Sequence, residues 1–222
     1  SNTIKHKSSR AMSSQPPSTT ELEFAERYDR EHAQVCQQVR PQGVVRRWAQ
    51  WRERRLVRRA LKVAGEPGLV LDLACGAGRF WPVLAERDNR VILAADPSQG
   101  MLDHAQTHHS AALLKRVKRF KSSVFSIDMS ENAVDCIFCM QLFHHVRSNE
   151  HRLAILRELH RVSRDTLILS VCVSGVQGQQ RIWVSKEEVE AQFSDSGFSI
   201  LKQYAVLPGF THNSIYVLRK EA

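Results

Sequence analysis

The chain has 222 residues, enough for one domain with a sizeable core and short for two. Its apolar share, 42%, is that of an ordinary globular protein, and no apolar run reaches membrane-spanning length. The formal net charge of +9 favours anionic partners in general and does not by itself select nucleic acid.

The first twenty residues hold no acid and no aromatic, and they carry Pro16-Pro17 among several serines. Such a segment buries too little apolar surface to offset its ordering entropy. Residues 1–20 therefore read as a disordered tail or tag remnant, with Met12 as a candidate natural start. No apolar stretch follows that would make it a secretory signal. The cysteines are Cys36, Cys75, Cys136, Cys139 and Cys172. An odd number without a signal peptide points to reduced thiols and a cytoplasmic location.

Glu21 to Val39 has helical spacing, with Leu22, Phe24, Ala25 and Tyr28 as apolar members and Thr20 as the expected cap. Pro41-Gln42-Gly43 breaks it. A second helix is expected from Val44 to about Ala64, stopped by Gly65. It carries Arg46, Arg47, Arg52, Arg54, Arg55, Arg58 and Arg59 against one acid, Glu53. Leu56, Val57, Ala60, Leu61 and Ala64 form a stripe that should pack on the core. Trp48 and Trp51 fall on the opposite, basic side if the helix is continuous. Two readings stay open: a break near Arg52 that lets the tryptophans pack, or a mixed Trp/Arg face that binds something anionic.

A regular alternation follows. Leu69 to Leu73, Val91 to Ala95, Val117 to Phe120, Val134 to Met140 and Thr166 to Val173 read as strands. Phe80 to Arg87, Ser98 to His108, Asn149 to Val162 and Ser185 to Asp195 read as helices between or after them. Ser98 is a cap, and Ser185 with Glu188 forms a capping box. Phe198 to Val206 and Ser214 to Leu218 are the last strands, and Gly175 to Gln180 is a polar loop. Near-continuous apolar strands alternating with helices indicate a parallel sheet covered on both faces. Cys136 and Cys139 lie on one such strand. Residues three apart there face opposite sides, and no second CxxC completes a zinc site, so both are expected in the core and no metal is assigned.

The chemistry concentrates at two strand tips. Asp72-Leu73-Ala74-Cys75-Gly76-Ala77-Gly78 joins the first strand to a helix. Glycines there let a ligand approach the backbone, and free amides at a helix start point toward it. Asp96 ends the second strand, where an acid can accept hydrogen bonds from ribose hydroxyls.

Val70 to Phe80 resembles motif I of the class I S-adenosylmethionine-dependent methyltransferases. Ala95 to Leu102 resembles their second-strand motif. Ser122 to Asp135, Cys136 to Val146 and Glu187 to Phe198 are similar to three later segments of that family, in order. The resemblance spans roughly residues 44–220. It implies a Rossmann-like, doubly wound α/β fold with seven strands, mainly parallel, the last antiparallel. Residues 21–222 would be a single methyltransferase domain, with 21–65 a helical cap and 66–222 the core.

The cofactor implied is S-adenosylmethionine. Asp72 and the turn of Ala74, Cys75, Gly76 and Gly78 would hold its amino acid part. Asp96 would bind the ribose, and Pro97 and Met101 would flank the adenine. Val124 would offer a backbone amide to that ring. Cys139 and Met140 would lie beside the methionine moiety, and Tyr28 resembles a tyrosine that folds over the cofactor. Two departures stand out. Ala74 replaces a glycine, and Ser122-Ser123 replaces a Gly-Asp pair, leaving Ser123 as a weaker adenine acceptor.

His144 and His145 follow the fourth strand and are the candidates for a general base. The implied reaction is direct displacement at the sulfonium methyl, in which the protein mainly aligns acceptor and methyl and excludes water. The expected acceptor is a small-molecule or lipid-like compound, and the positive charge admits an anionic one. A tRNA acceptor and a catalytically silent cofactor-binding subunit are the alternatives. The sequence does not set the oligomeric state.

Overall fold

A computed structural model describes residues 18–37, 43–173, 184–208 and 213–222. The tail before residue 18, the Pro41-Gln42 break and the Gly175 to Gln180 loop lie outside the described residues.

Helix α1 spans Thr19–Gln37. It begins before the expected boundary because Ser18, not Thr20, closes its end: the Ser18 hydroxyl accepts the Glu21 amide at 3.2 Å. Helix α2 runs unbroken over Val44–Val63, which removes the reading with a break near Arg52. It stops at Gly65, whose φ of 83° suits glycine. Strand β1 (Leu69–Leu73) leads through the Gly-rich turn to α3, a single turn at Trp81–Leu84. That is shorter than the expected Phe80 to Arg87: the last helical bond runs from the Ala85 amide to the Trp81 carbonyl.

Then come β2 (Val91–Asp96), α4 (Gln99–His108), α5 (Ala111–Arg116), β3 (Val117–Lys121) and β4 (Val134–Cys139). A 3-10 turn at Leu142–His145 precedes α6 (Asn149–Val162), β5 (Ser163–Cys172), α7 (Lys186–Asp195), β6 (Phe198–Ala205) and β7 (Asn213–Lys220). Ser98 caps α4, and Ser185 with Glu188 forms the expected capping box on α7. Neither α5 nor the 3-10 turn is visible in the periodicity. Both are too short to show a repeat, although Ser110 caps α5 through the Leu113 amide.

The seven strands form one sheet in the order β3-β2-β1-β4-β5-β7-β6. The first five pair in parallel, and β7 is antiparallel to both β5 and β6. This is the Rossmann-like, mainly parallel arrangement expected. The order reverses between β1 and β4, and a doubly wound sheet opens a crevice at the carboxyl ends of strands at such a point.

Side chains alternate along each strand, so one sheet builds two cores. Leu71, Leu73, Ile137 and Cys139 join Phe24, Leu156, Leu159 and Phe193 on the face covered by α1, α6 and α7. Val70, Cys136, Phe138 and Ile168 join Leu56, Val57, Leu61, Trp81 and Leu102 on the other, covered by α2, α3 and α4. Cys136 and Cys139 thus lie on opposite faces, as their spacing predicts. No helix among the described residues is long and apolar enough to cross a membrane.

Candidate functional site

The carboxyl edge of the sheet gathers the two acids. Asp72 is the last residue but one of β1 and is buried. Its Oδ2 accepts the Trp81 indole N–H at 3.0 Å. The β1 run is apolar because both faces are covered, so this carboxyl has little water. Burial pushes its pKa up to about 8, Asp96 adds to the rise, and the Trp81 bond and Arg79 act the other way.

The turn after β1 is built from positive-φ residues: Ala74 at 53°, Gly76 at 55° and Gly78 at 75°. Ala74 tolerates the family's glycine position, at a strain of roughly 1–2 kcal/mol for a left-handed residue with a side chain. A Cβ on Gly78 would lie 2.4 Å from the Trp81 ring, so that glycine makes room for the indole that reaches Asp72. A Cβ on Gly76 would lie 3.1 Å from the Gln141 Oε1 and 3.6 Å from the Met101 Cε. The His109 imidazole holds the turn from outside, its Nε2–H donating to the Ala77 carbonyl at 2.7 Å. Cys75 is buried in the turn, and burial raises its thiol pKa well above the ordinary range.

Asp96 ends β2 and is fully buried. Its Oδ2 accepts the Gly76 amide at 2.9 Å and the Tyr28 hydroxyl at 2.8 Å, and its Oδ1 accepts the Ser98 amide at 2.9 Å. Burial pushes its pKa up to about 6, against the pull of those donors. Tyr28 comes from α1 and is fully buried, edge-on to the His145 ring with centroids 5.2 Å apart.

The helix bearing Tyr28 is clasped to the 3-10 turn. His145 Nδ1 bonds Glu31, Arg147 pairs with Glu31 at 3.1 Å, and Arg27 donates to the His145 carbonyl at 2.8 Å. The two histidines part company. His145 faces α1, while His144 contacts Ser170 Oγ and Cys172 Sγ, each at 3.3 Å, on β5.

The remaining sequence-predicted residues ring the same edge. Pro97 is half-buried beside Asp96, and Met101 is buried one turn into α4. The Ser122 amide donates to the Asp96 carbonyl at 3.1 Å, tying the end of β3 to the tip of β2. Ser123 Oγ accepts the Phe125 amide at 3.1 Å, and Val124 is buried. Cys139 is fully buried on the α1 side and Met140 on the other. Sequence reasoning missed Gln141, Trp81 and Glu31. Gln141 carried a signal, a polar residue directly after an apolar strand at the reversal point. Trp81 and Glu31 carried none, since a buried indole and a helix acid are common.

Residues 70–166 match the family model of a methyltransferase domain. No curated protein sequence matches the chain. Among solved structures, magnesium protoporphyrin IX methyltransferase from Synechocystis PCC 6803, with bound SAH, superposes with a TM-score of 0.72. It is 17% identical over 90% of this chain and 99% of that one. A SAM-dependent methyltransferase from Aquifex aeolicus is 25% identical over 68% of this chain and 81% of its own, with a TM-score of 0.55. A 4+2 cyclase shares the fold at 19% identity and a TM-score of 0.62, over 76% and 81% of the two chains. Residues 70–166 thus match a methyltransferase domain, and the fold around them is shared with solved S-adenosylmethionine-dependent methyltransferases.

Proposed function

We propose that this methyltransferase passes the methyl group to an anionic small-molecule or lipid-like acceptor, with its cofactor held at the tips of β1 and β2. The observation that carries the cofactor site is the joint at Asp96, where one buried carboxylate binds both the Gly76 amide and the Tyr28 hydroxyl. The acceptor class rests on the net charge of +9.

The residues present fit the donor. At Gly76 the backbone is bare, and an added Cβ would already touch Gln141 and Met101, so the space above it suits a ligand only while it stays glycine. Two buried carboxyls stand ready for its polar groups: Asp72 for the ammonium, Asp96 for the ribose hydroxyls. Pro97 and Met101 would flank the adenine, Val124 would offer it a backbone amide and Ser123 an acceptor, and Cys139 and Met140 would lie beside the methionine chain. When bound, the cofactor supplies an electrophilic methyl on a sulfonium.

Near neutral pH Asp72 holds a proton in the free protein, and it gives that proton up when a cationic ammonium enters. Asp96 already accepts three donors. A ribose diol therefore competes for the same oxygens, and Tyr28, carried on α1, is the donor able to yield. The clasp of Glu31 with His145 and Arg147 then brings α1 back over the site and excludes water. Of the two candidate bases we favour His144, which is exposed and would exchange a Ser170 or Cys172 contact for an acceptor, while His145 serves the clasp.

The test is incubation with methyl-labelled S-adenosylmethionine and fractionated extract. Label in the small-molecule or lipid fraction supports the reading. Label confined to RNA or protein overturns the acceptor class. Cofactor binding with no labelled product in any fraction would point instead to a silent subunit.

A further inference from the structure

The N-terminal half of α2 is unlike the rest of the surface. Val44, Trp48, Trp51 and Arg55 follow at intervals of four, three and four, so they share one face of the helix. Leu56, Val57, Ala60 and Leu61 occupy the opposite face and pack on the sheet. Both tryptophans are exposed, at 50% and 47%, and Val44 and Val45 more so, at 83% and 77%. Single exposed apolar residues are ordinary, but four on two turns of one helix form a patch.

Basic groups flank that patch. The helix's one acid, Glu53, is engaged by Arg79, and Arg58 by Glu86. Arg46, Arg47, Arg54, Arg55 and Arg59 remain exposed, and Arg55 lies over the Trp51 ring at 5.4 Å. The position is also fixed. Arg52 donates to the Val206 carbonyl at 2.7 Å, just past the end of β6. Strand β6 runs parallel to β5, since both are antiparallel to β7, so Val206 marks the carboxyl edge of the sheet. Residues 44–51 therefore reach beyond the edge that carries the Gly-rich turn and Asp96, by roughly 12 Å at 1.5 Å per residue.

We infer that the N-terminal half of α2 docks the protein onto an anionic lipid bilayer, the tryptophans and valines entering the interface and the arginines meeting the phosphates. Tryptophan favours the headgroup level, where one ring buries apolar area and keeps its N–H wet. Arginine flanking an apolar strip places its stem against that strip and its charge at the phosphates. Charge complementarity argues against a second copy of this chain, because the patch would meet its own arginines. The two valines argue against RNA, since an aliphatic pair offers nothing for a base to stack on. The docked face would hold the carboxyl edge of the sheet near the membrane. The inference is independent of the acceptor assignment.

Flotation with vesicles tests it, using the full chain without cofactor. Phosphatidylcholine vesicles are compared with vesicles of phosphatidylcholine and phosphatidylglycerol. The protein should float with the mixed vesicles alone, less so as salt rises. Trp48→Ala with Trp51→Ala should abolish flotation while the melting temperature stays unchanged. Arg47→Glu with Arg54→Glu should weaken it by at least about fivefold for each charge removed. Equal flotation with neutral vesicles, no flotation, or undiminished flotation of the tryptophan variant would overturn the inference. So would single-stranded RNA binding, or a dimer in sedimentation, that the tryptophan variant loses while the parent ignores vesicles.

Discussion

Replacing Asp72 by Asn should make the free protein more stable and a worse binder of cofactor. Asp72 is buried with the Trp81 indole as its hydrogen-bond donor, and its pKa rises from 3.8 to about 8. An acid whose pKa is raised by folding binds more protons in the native state than in the unfolded one. Stability therefore falls as pH rises through the window from 3.8 to about 8, and levels off above it. Each pH unit in that window costs about 1.4 kcal/mol, so the penalty at pH 7 has a ceiling of roughly 4 kcal/mol. Relaxation around the site lowers this, and about 2–4 kcal/mol is expected.

Asn keeps an acceptor oxygen for Trp81 and carries no charge, so the variant escapes the penalty. In a protein of this size it should melt roughly 5–15 °C higher near pH 7, with the gap closing toward pH 4. In the proposed site the same change removes the Asp72 charge that would meet the cofactor's ammonium, so affinity for S-adenosylhomocysteine should drop. Scanning fluorimetry of both proteins across pH 4–9 without cofactor measures the gap. A variant no more stable than the parent at pH 8, or a gap that does not change with pH, would refute the reasoning.

Tyr28→Phe keeps the packed ring and frees one Asp96 lone pair for the ribose. Calorimetry should show S-adenosylhomocysteine bound at least as tightly, with stability lower by about 1 kcal/mol for the lost hydrogen bond. Ser123→Asp can take over the turn onto the Phe125 amide and present a second oxygen to the adenine amino group. It should tighten cofactor binding, and an unchanged dissociation constant would remove the adenine role of this position. Gly78→Ala drives a methyl into the Trp81 ring and should destabilise the fold by roughly 1–3 kcal/mol in denaturant titration.

The sequence carried the architecture because the central strands are short, mostly apolar and separated by glycine or capping residues. Leu69 to Leu73 and Val134 to Met140 read as buried strands, and both lie in the middle of the sheet. It also carried the site's frame, since an acid at the end of an apolar strand must find partners or a ligand. It did not carry what depends on distant contacts. Trp81 reads as an ordinary helix apolar residue until Gly78 opens the space that lets it reach Asp72. Glu31 and His145 are far apart in the chain, and only the fold makes them a clasp. The continuity of α2 was undecidable because Trp48 and Trp51 fit a buried cap as well as an exposed face; the helix runs on, and both rings stay at the surface.

Isothermal titration of the parent and of Asp96→Ala with S-adenosylhomocysteine tests the central claim most directly. Removing the carboxylate takes an acceptor from Gly76, Ser98 and Tyr28 and, in the proposed site, from the ribose. The account predicts one site in the parent and an affinity lower by roughly 1–3 kcal/mol in the variant, while circular dichroism shows the fold retained. Equal affinity in the two proteins would contradict the placement of the ribose at the tip of β2.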